Sequence, residues 1–444
     1  MTDLDLLVVA PHAVVDGAET ACSVGVRDGR VELLEAYDAD LDATEVVRLA
    51  DDVVLLPGLV DTHVHVNDPG RSEWEGFTQA TRAAAAGGVT TILDMPLNSI
   101  PATLDVDALQ VKRKTAAGQC YVDVGFWGGA VPANQRDLLP LWEAGVFGFK
   151  CFLVDSGVPE FPALDGLDVT MQEVASFGGL LLVHAEDGAA LRAQPVDSRN
   201  YADFLGSRPD ASELSAITEV VEASRRTGCR AHVVHLSTAQ ALPLLAAARL
   251  DGVPVSVETC PHYLTFVAEH IPDGATAFKC CPPIRDATNQ ELLWRGLVDG
   301  TIGFVVSDHS PCTEDLKHLE TGRFADAWGG ISSLQLGLPV VWTGARARGH
   351  GLVEVARWMS SGPAARAGLA GKGAIAVGKD ADFCVFAPDE SSLVDPRILQ
   401  HRNPVTPYAG RTLTGVVRET WLAGRRIDIT AAPHGRLLSR GAPR

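Results

Sequence analysis

The chain has 444 residues, 46% of them apolar and 21% charged, several times the length that one small hydrophobic core requires. That composition excludes a disordered or fibrous protein. A formal charge of −19 repels nucleic acid and anionic membrane surfaces, so a small, neutral or metal-bound substrate is the better match.

The first segment, MTDLDLLVVAPHAVVDG, carries acidic residues where a secretory leader carries basic ones, and no run approaches the roughly 18 uninterrupted apolar residues of a membrane span. A cytoplasmic protein is expected. Residues 1–57 hold short β-rich runs such as DLLVVA and VVLL, broken by Gly, Pro and Asp. Short apolar runs then alternate with longer amphipathic ones from about Leu59 to Leu352. The strand candidates are LVDTHVHV (59–66), TTILDMPL (90–97), YVDVGFWGG (121–129), FGFKCFL (147–153), LLLVHAED (180–187), RAHVVHLST (230–238), VPVSVETC (253–260) and GFVVSDHS (303–310). Helix-like stretches between them, several closing on Gly, complete a series of βα units. About eight units over about 300 residues predict a (β/α)₈ TIM barrel at 58–371. The weakly periodic segment 187–209 is expected to be a surface excursion at the barrel mouth. Residues 372–444 return to short β-rich runs, and neither flank can bury a core alone. Together 1–57 and 372–444 are expected to form one small β-sandwich domain. Nine cysteines without a CxxC motif read as free thiols rather than a disulfide framework.

Of the thirteen histidines, His63, His65, His184, His235, His262 and His309 sit in or just beyond the proposed strands, toward their C-terminal ends. A barrel of this kind gathers its active site there. Alternate residues of a strand share a face, so His63 and His65 project inward together and can grip one cation. His184 and His235 add single imidazoles from separate strands, each of which alone would read as a hydrogen-bonded core residue. Together with the first pair they form a nitrogen-rich set suited to zinc or a similar divalent ion. His232 and His235 have opposite strand parity, so His235 is assigned to the interior and His232 to the helix side. Asp308 ends the last strand, where a carboxylate can ligate a metal and accept a proton. Lys150 stands inside an apolar strand, which calls for a hidden acidic partner, an exposed head group, or a desolvated neutral amine able to add carbon dioxide. Cys151 falls on the opposite face and is a poor nucleophile candidate. Trp74, Trp142, Trp294 and Trp358 fall in helix-like segments and are expected to pack.

The blocks PGLVDTHVHV (57–66), GGVTTILDMP (87–96), GFKCF (148–152), ETCPHYL (258–264), SDHSP (307–311) and GKGAIAVGKDADFCVF (371–386) resemble the cyclic amidohydrolases of the amidohydrolase superfamily. Within that group DPGRSEWEGF (68–77), DMPLNSIPAT (94–103) and ADAWGGISSLQ (325–335) are most similar to the allantoinase branch. The resemblance implies a binuclear metal centre. His63, His65 and a carboxylated Lys150 would hold one ion, with Asp308 completing its shell and acting as catalytic base and acid. The same carbamate, His184 and His235 would hold the other. Zinc is the default, with cobalt, manganese or nickel as alternatives. Asn98, Arg71 in the loop Asp68 to Arg71, and His309 would lie near the substrate, although a role for His309 in orienting Asp308 is an equal reading. The implied reaction is attack of a metal-bridging hydroxide on a ring amide of allantoin, giving allantoate, by a homotetramer. Related dihydroorotases place an arginine two residues beyond the His-x-His, where this chain has Asn67. Hydantoinases and dihydropyrimidinases place a tyrosine five residues after the lysine, where this chain has Asp155. Ring opening of another cyclic ureide is the alternative activity, and a non-catalytic relative should have lost some of these ligands.

Overall fold

The computed structural model describes residues 4–441. Its centre is a barrel of parallel strands at Leu59–Val64, Val89–Asp94, Asp123–Phe126, Phe149–Phe152, Leu180–His184, Arg230–Val233, Val255–Thr259 and Phe304–Val305. Neighbours pair in parallel through most of the ring. Two seams complete it. The Phe147 N–H donates to the Phe126 carbonyl (3.1 Å) and the Gly128 N–H to that of Gly148 (2.9 Å), joining the third and fourth strands. The His65 N–H donates to the His309 carbonyl (2.8 Å), joining the last strand to the first.

The pleat sorts side chains as the period-2 pattern requires. Val60, Leu93, Phe152, Leu180, Leu182 and Val234 pack inside the barrel. Phe149, Cys151, Leu181, Val183 and Ala231 face the helices outside. Those helices, among them Phe77–Ala86, Val106–Ala116, Leu167–Ser176, Asp210–Thr227 and Ala287–Val298, bury one face and end where the backbone demands it. Asp210–Thr227 stops at Gly228, whose φ of 69° is the left-handed conformation that a side chain disfavours. None of the described helices is long and apolar enough to cross a membrane.

The flanks meet in one eight-stranded sheet. Strand Val54–Pro57 lies between the first strand, Leu4–Val15, and the C-terminal strand Phe383–Leu393. The sheet folds over on itself, so a Cβ added at Gly424 would meet Val26 Cγ1 at 2.9 Å and one at Gly29 would meet Ala423 Cβ at 3.1 Å. Leu6, Val8, Val24, Val26, Leu55, Phe383, Val385 and Trp421 form the shared interior of the two layers.

The tail departs from the expectation that all of 372–444 joins this β domain. Residues 435–438 slot beside the third barrel strand, with the Val124 N–H donating to the Arg436 carbonyl and the Leu438 N–H to that of Val124, both at 2.8 Å. A Cβ at Gly435 would sit 2.1 Å from the Val122 carbonyl oxygen, so only glycine permits the approach. Beside it the buried Lys372 ammonium contacts Asp123 of the barrel (2.6 Å) and Asp380 and Asp382 of the sheet (3.0 and 2.7 Å). Desolvation alone would lower the Lys372 pKa, but the three carboxylates outweigh it and raise it. Replacing Lys372 by Met should leave those carboxylates buried and unpaired, costing about 3–5 kcal/mol. Chemical denaturation of the variant checks this, with a clearly lower unfolding midpoint expected.

Candidate active site

The first strand delivers His63 and His65 to the C-terminal mouth of the barrel, and both are buried. Their ring centroids are 5.5 Å apart, and His235 lies 5.4 Å from His63 and 4.6 Å from His184. His63 Nε2 and His65 Nε2 approach the same Asp308 oxygen at 3.2 and 3.5 Å. Lys150 enters from the fourth strand with 1% of its surface exposed, its ammonium 4.8 Å from the centre of the Phe152 ring. All six residues line one cavity of about 290 Å³, together with Asn98, Asp155, Gln194, Arg208, Lys279 and Trp328.

His235 and Asp308 reach this position through backbone strain. Each lies just past the end of its strand with a left-handed φ, 39° and 42° respectively. Such a conformation costs a non-glycine residue about 1–3 kcal/mol and clusters at functional sites. The turn at His235 also resets strand parity, which corrects the assignment of His232 to the helix side. His232 faces the interior one layer lower, stacked on Phe304, and its Nε2 lies 2.9 Å from Glu258.

Buried carboxylates hold the imidazoles. Glu258 meets His63 Nδ1 at 2.6 Å with one oxygen and His232 with the other. Glu186 meets His184 Nε2 at 2.6 Å and also accepts from Arg208 at 2.6 Å. With those nitrogens engaged, His63 Nε2 and His184 Nδ1 are left for the cavity side. Burial by itself would raise both glutamates, but the His63 and His232 contacts bring Glu258 down to about 2, and His184 with Arg208 does the same for Glu186. Asp308 likewise falls far below the carboxylate range, because His63, His65 and His235 outweigh its desolvation.

Lys150 has no such carboxylate. Burial lowers its pKa to about 8, and Asp308 offsets this only in part. Its Nζ and the Nδ1 of His235 have no hydrogen-bond partner among the described residues. Unsatisfied buried polar atoms are uncommon, and this pair on the wall of the same cavity fits a site that holds something besides protein. A set rich in imidazole with a carboxylate suits a divalent ion, and His63, His65 and Asp308 already hold their ligand atoms within 4.8 Å of one another.

Two residues expected beside the substrate lie elsewhere. Arg71 is absent from the cavity wall because its guanidinium donates to Glu160 (2.5 Å) and to the Asn98 carbonyl (2.9 Å). His309 is fully buried behind Asp308, where its Nδ1 accepts from the Ser333 and Leu334 N–H groups at 3.2 and 3.4 Å. Its contribution is to fix the loop that follows the last strand. Asn98 does line the cavity, its amide 3.4 Å from His65 Nδ1. Asn67, at the position where dihydroorotases carry arginine, is buried and donates to the Pro311 carbonyl (3.3 Å). Sequence reasoning passed over Glu186, Arg208 and Glu258. Replacing Glu258 by Gln should weaken metal retention about 10- to 100-fold, since outer hydrogen bonds fix the orientation and basicity of a ligating imidazole. Metal titration of the variant in competition with a chelator measures it.

Comparison with known proteins identifies the family. The model of the amidohydrolase family matches residues 54–427. The chain is 56% identical to the allantoinase of Streptomyces avermitilis, covering 99% of this chain and all of that one. It is 43% identical to the allantoinase of Saccharomyces cerevisiae, over 96% and 95% of the two chains. Among solved structures, the L-hydantoinase of Arthrobacter aurescens superposes with a TM-score of 0.90 at 29% identity, covering 98% of each chain. The domain match, the full-length relatives and the shared fold lead to one conclusion: the chain belongs to the amidohydrolase family.

Proposed function

We propose that this enzyme opens the ring amide of allantoin to give allantoate. The observation that carries the proposal is the convergence of His63, His65, Lys150, His184, His235 and Asp308 on one cavity, with Lys150 and His235 lacking protein partners. Relatives that bear the allantoinase name span nearly the whole chain, which supports the choice of ring. His63, His65 and Asp308 would hold one divalent ion and His184 with His235 a second, zinc being the first candidate. When bound, such ions polarise a carbonyl and acidify water at neutral pH.

The rest is done by the chain. With its pKa near 8, Lys150 is partly neutral at physiological pH. Its amine can therefore add carbon dioxide: the nitrogen–carbon bond forms, a proton leaves, and the resulting carbamate, with one negative charge shared by two oxygens, would serve as a further ligand for the ions. Asp308 is held ionised by its imidazole neighbours and is placed to take a proton from the attacking water and return it to the departing ring nitrogen. Glu258 and Glu186 keep His63 and His184 in the tautomers that face the cavity. Asn98, on the wall beside His65, is positioned to hydrogen-bond the ring.

Asp155 lies on the cavity wall where the hydantoinase pattern has tyrosine, and Arg208, the one arginine on that wall among the described residues, is paired with Glu186. Neither feature suits a close hydantoinase copy or an unpaired substrate carboxylate. Ring-opening assays on metal-replete protein prepared with bicarbonate should give kcat/KM for allantoin at least roughly a hundredfold above hydantoin, dihydrouracil and dihydroorotate, the margin that polar recognition can supply. Faster turnover of another ring would reassign the substrate. Lys150→Ala should lose turnover and regain part of it when small carboxylic acids are added, and full activity without them would refute the bridging role.

A further inference from the structure

The six candidate ligands account for only part of the cavity wall. The 187–209 excursion and the loop at 324–330 supply much of the remainder, and each brings a polar hydrogen that the protein leaves unused. Gln194 Nε2 and Trp328 Nε1 are buried, line the cavity, and have no hydrogen-bond partner among the described residues. A buried N–H without an acceptor is destabilising, so a ligand that accepts from both gains more than it would from solvent.

The loop that carries Trp328 is fixed before any ligand arrives. The Lys279 ammonium donates to the Phe324 and Ala327 carbonyls at 2.5 and 2.6 Å. The Lys317 ammonium donates to the Trp328 carbonyl at 3.0 Å and to that of Gly330. The Trp328 backbone N–H donates to the Leu316 carbonyl at 2.8 Å, and the indole stands edge-on to Trp74 with ring centres 4.9 Å apart. Two buried ammonium groups thus serve the backbone of one short loop, and the indole they hold has little rotamer freedom left to lose.

We propose that Trp328 and Gln194 form a subsite for a ureido substituent on the substrate ring, a refinement that rests on the allantoin reading above. A urea carbonyl accepts from both N–H groups, and the Asp155 carboxylate on the same wall accepts from the urea nitrogen. The metal-facing residues act on the ring amide, and this second set recognises what the ring carries. A bare hydantoin leaves the two donors unpaired, so the subsite rejects it through the cost of buried, unsatisfied groups rather than through size.

The test compares allantoin with hydantoin, which has the same ring and no ureido group, on the metal-replete enzyme and on Trp328→Phe and Gln194→Met. Each variant removes one donor and keeps most of the side-chain volume. The expected result is a KM for allantoin raised roughly tenfold in each, with kcat changed less than about twofold. The constant for hydantoin as a competitive inhibitor of allantoin turnover should stay unchanged. An unaltered KM for allantoin, or a parallel loss of allantoin and hydantoin affinity, would overturn the subsite while leaving the reaction assigned. A parent enzyme that does not open allantoin would instead overturn the reading on which the subsite rests.

Discussion

Bringing His63, His65, Lys150, His184, His235 and Asp308 to one barrel mouth takes six ionisable side chains out of water, and the surrounding structure is arranged around that cost. Two buried carboxylates, Glu258 from the seventh strand and Glu186 just past the end of the fifth, repay part of it. Glu258 is shared between His63 and His232, and Glu186 between His184 and Arg208. What they do not repay is concentrated at Lys150 and His235, whose polar nitrogens face the cavity with nothing to bond. A fold that pairs the supporting imidazoles with carboxylates and leaves Lys150 and His235 open is organised to bind. The left-handed backbones of His235 and Asp308 belong to the same arrangement, since they turn two side chains into the mouth at the expense of local strain.

Much of this was legible in the sequence because a closed parallel barrel converts chain position into geometry. The lone lysine of the fourth strand and the histidine ending the fifth face inward as alternation requires, and the His-x-His pair shares one face beyond a register shift in the first strand. Alternation fails where the strand does. His232 was placed outside by counting parity through to His235, but the strand ends at Val233 and the turn at His235 starts a new phase. Arg71 was assigned to the substrate through the family resemblance, and His309 either to the substrate or to orienting its neighbour Asp308. Their actual partners, Glu160 and the Ser333–Leu334 backbone, come from distant segments that no local pattern reveals. Glu258 could have been found by the reasoning that singled out Lys150, because VSVETC is an apolar strand carrying one charged residue.

The two parts of the molecule share more than a linker. Lys372 binds carboxylates from the barrel and the β domain at once, and residues 435–438 lie against the barrel's third strand. The terminal sheet therefore braces the end of the barrel opposite to the mouth, where conserving shape serves stability rather than chemistry. At the other end the loops are held by buried ammonium groups, so rigidity at both ends supports a site whose ligands are preorganised.

These six side chains are proposed to form a centre for two metal ions bridged through Lys150. Elemental analysis of protein expressed with a divalent metal and bicarbonate, then freed of loosely held ions, tests it most directly. Two ions per chain are expected in the parent protein and fewer than one firmly held in Lys150→Ala. One ion per chain in the parent, or two retained without Lys150, would contradict it.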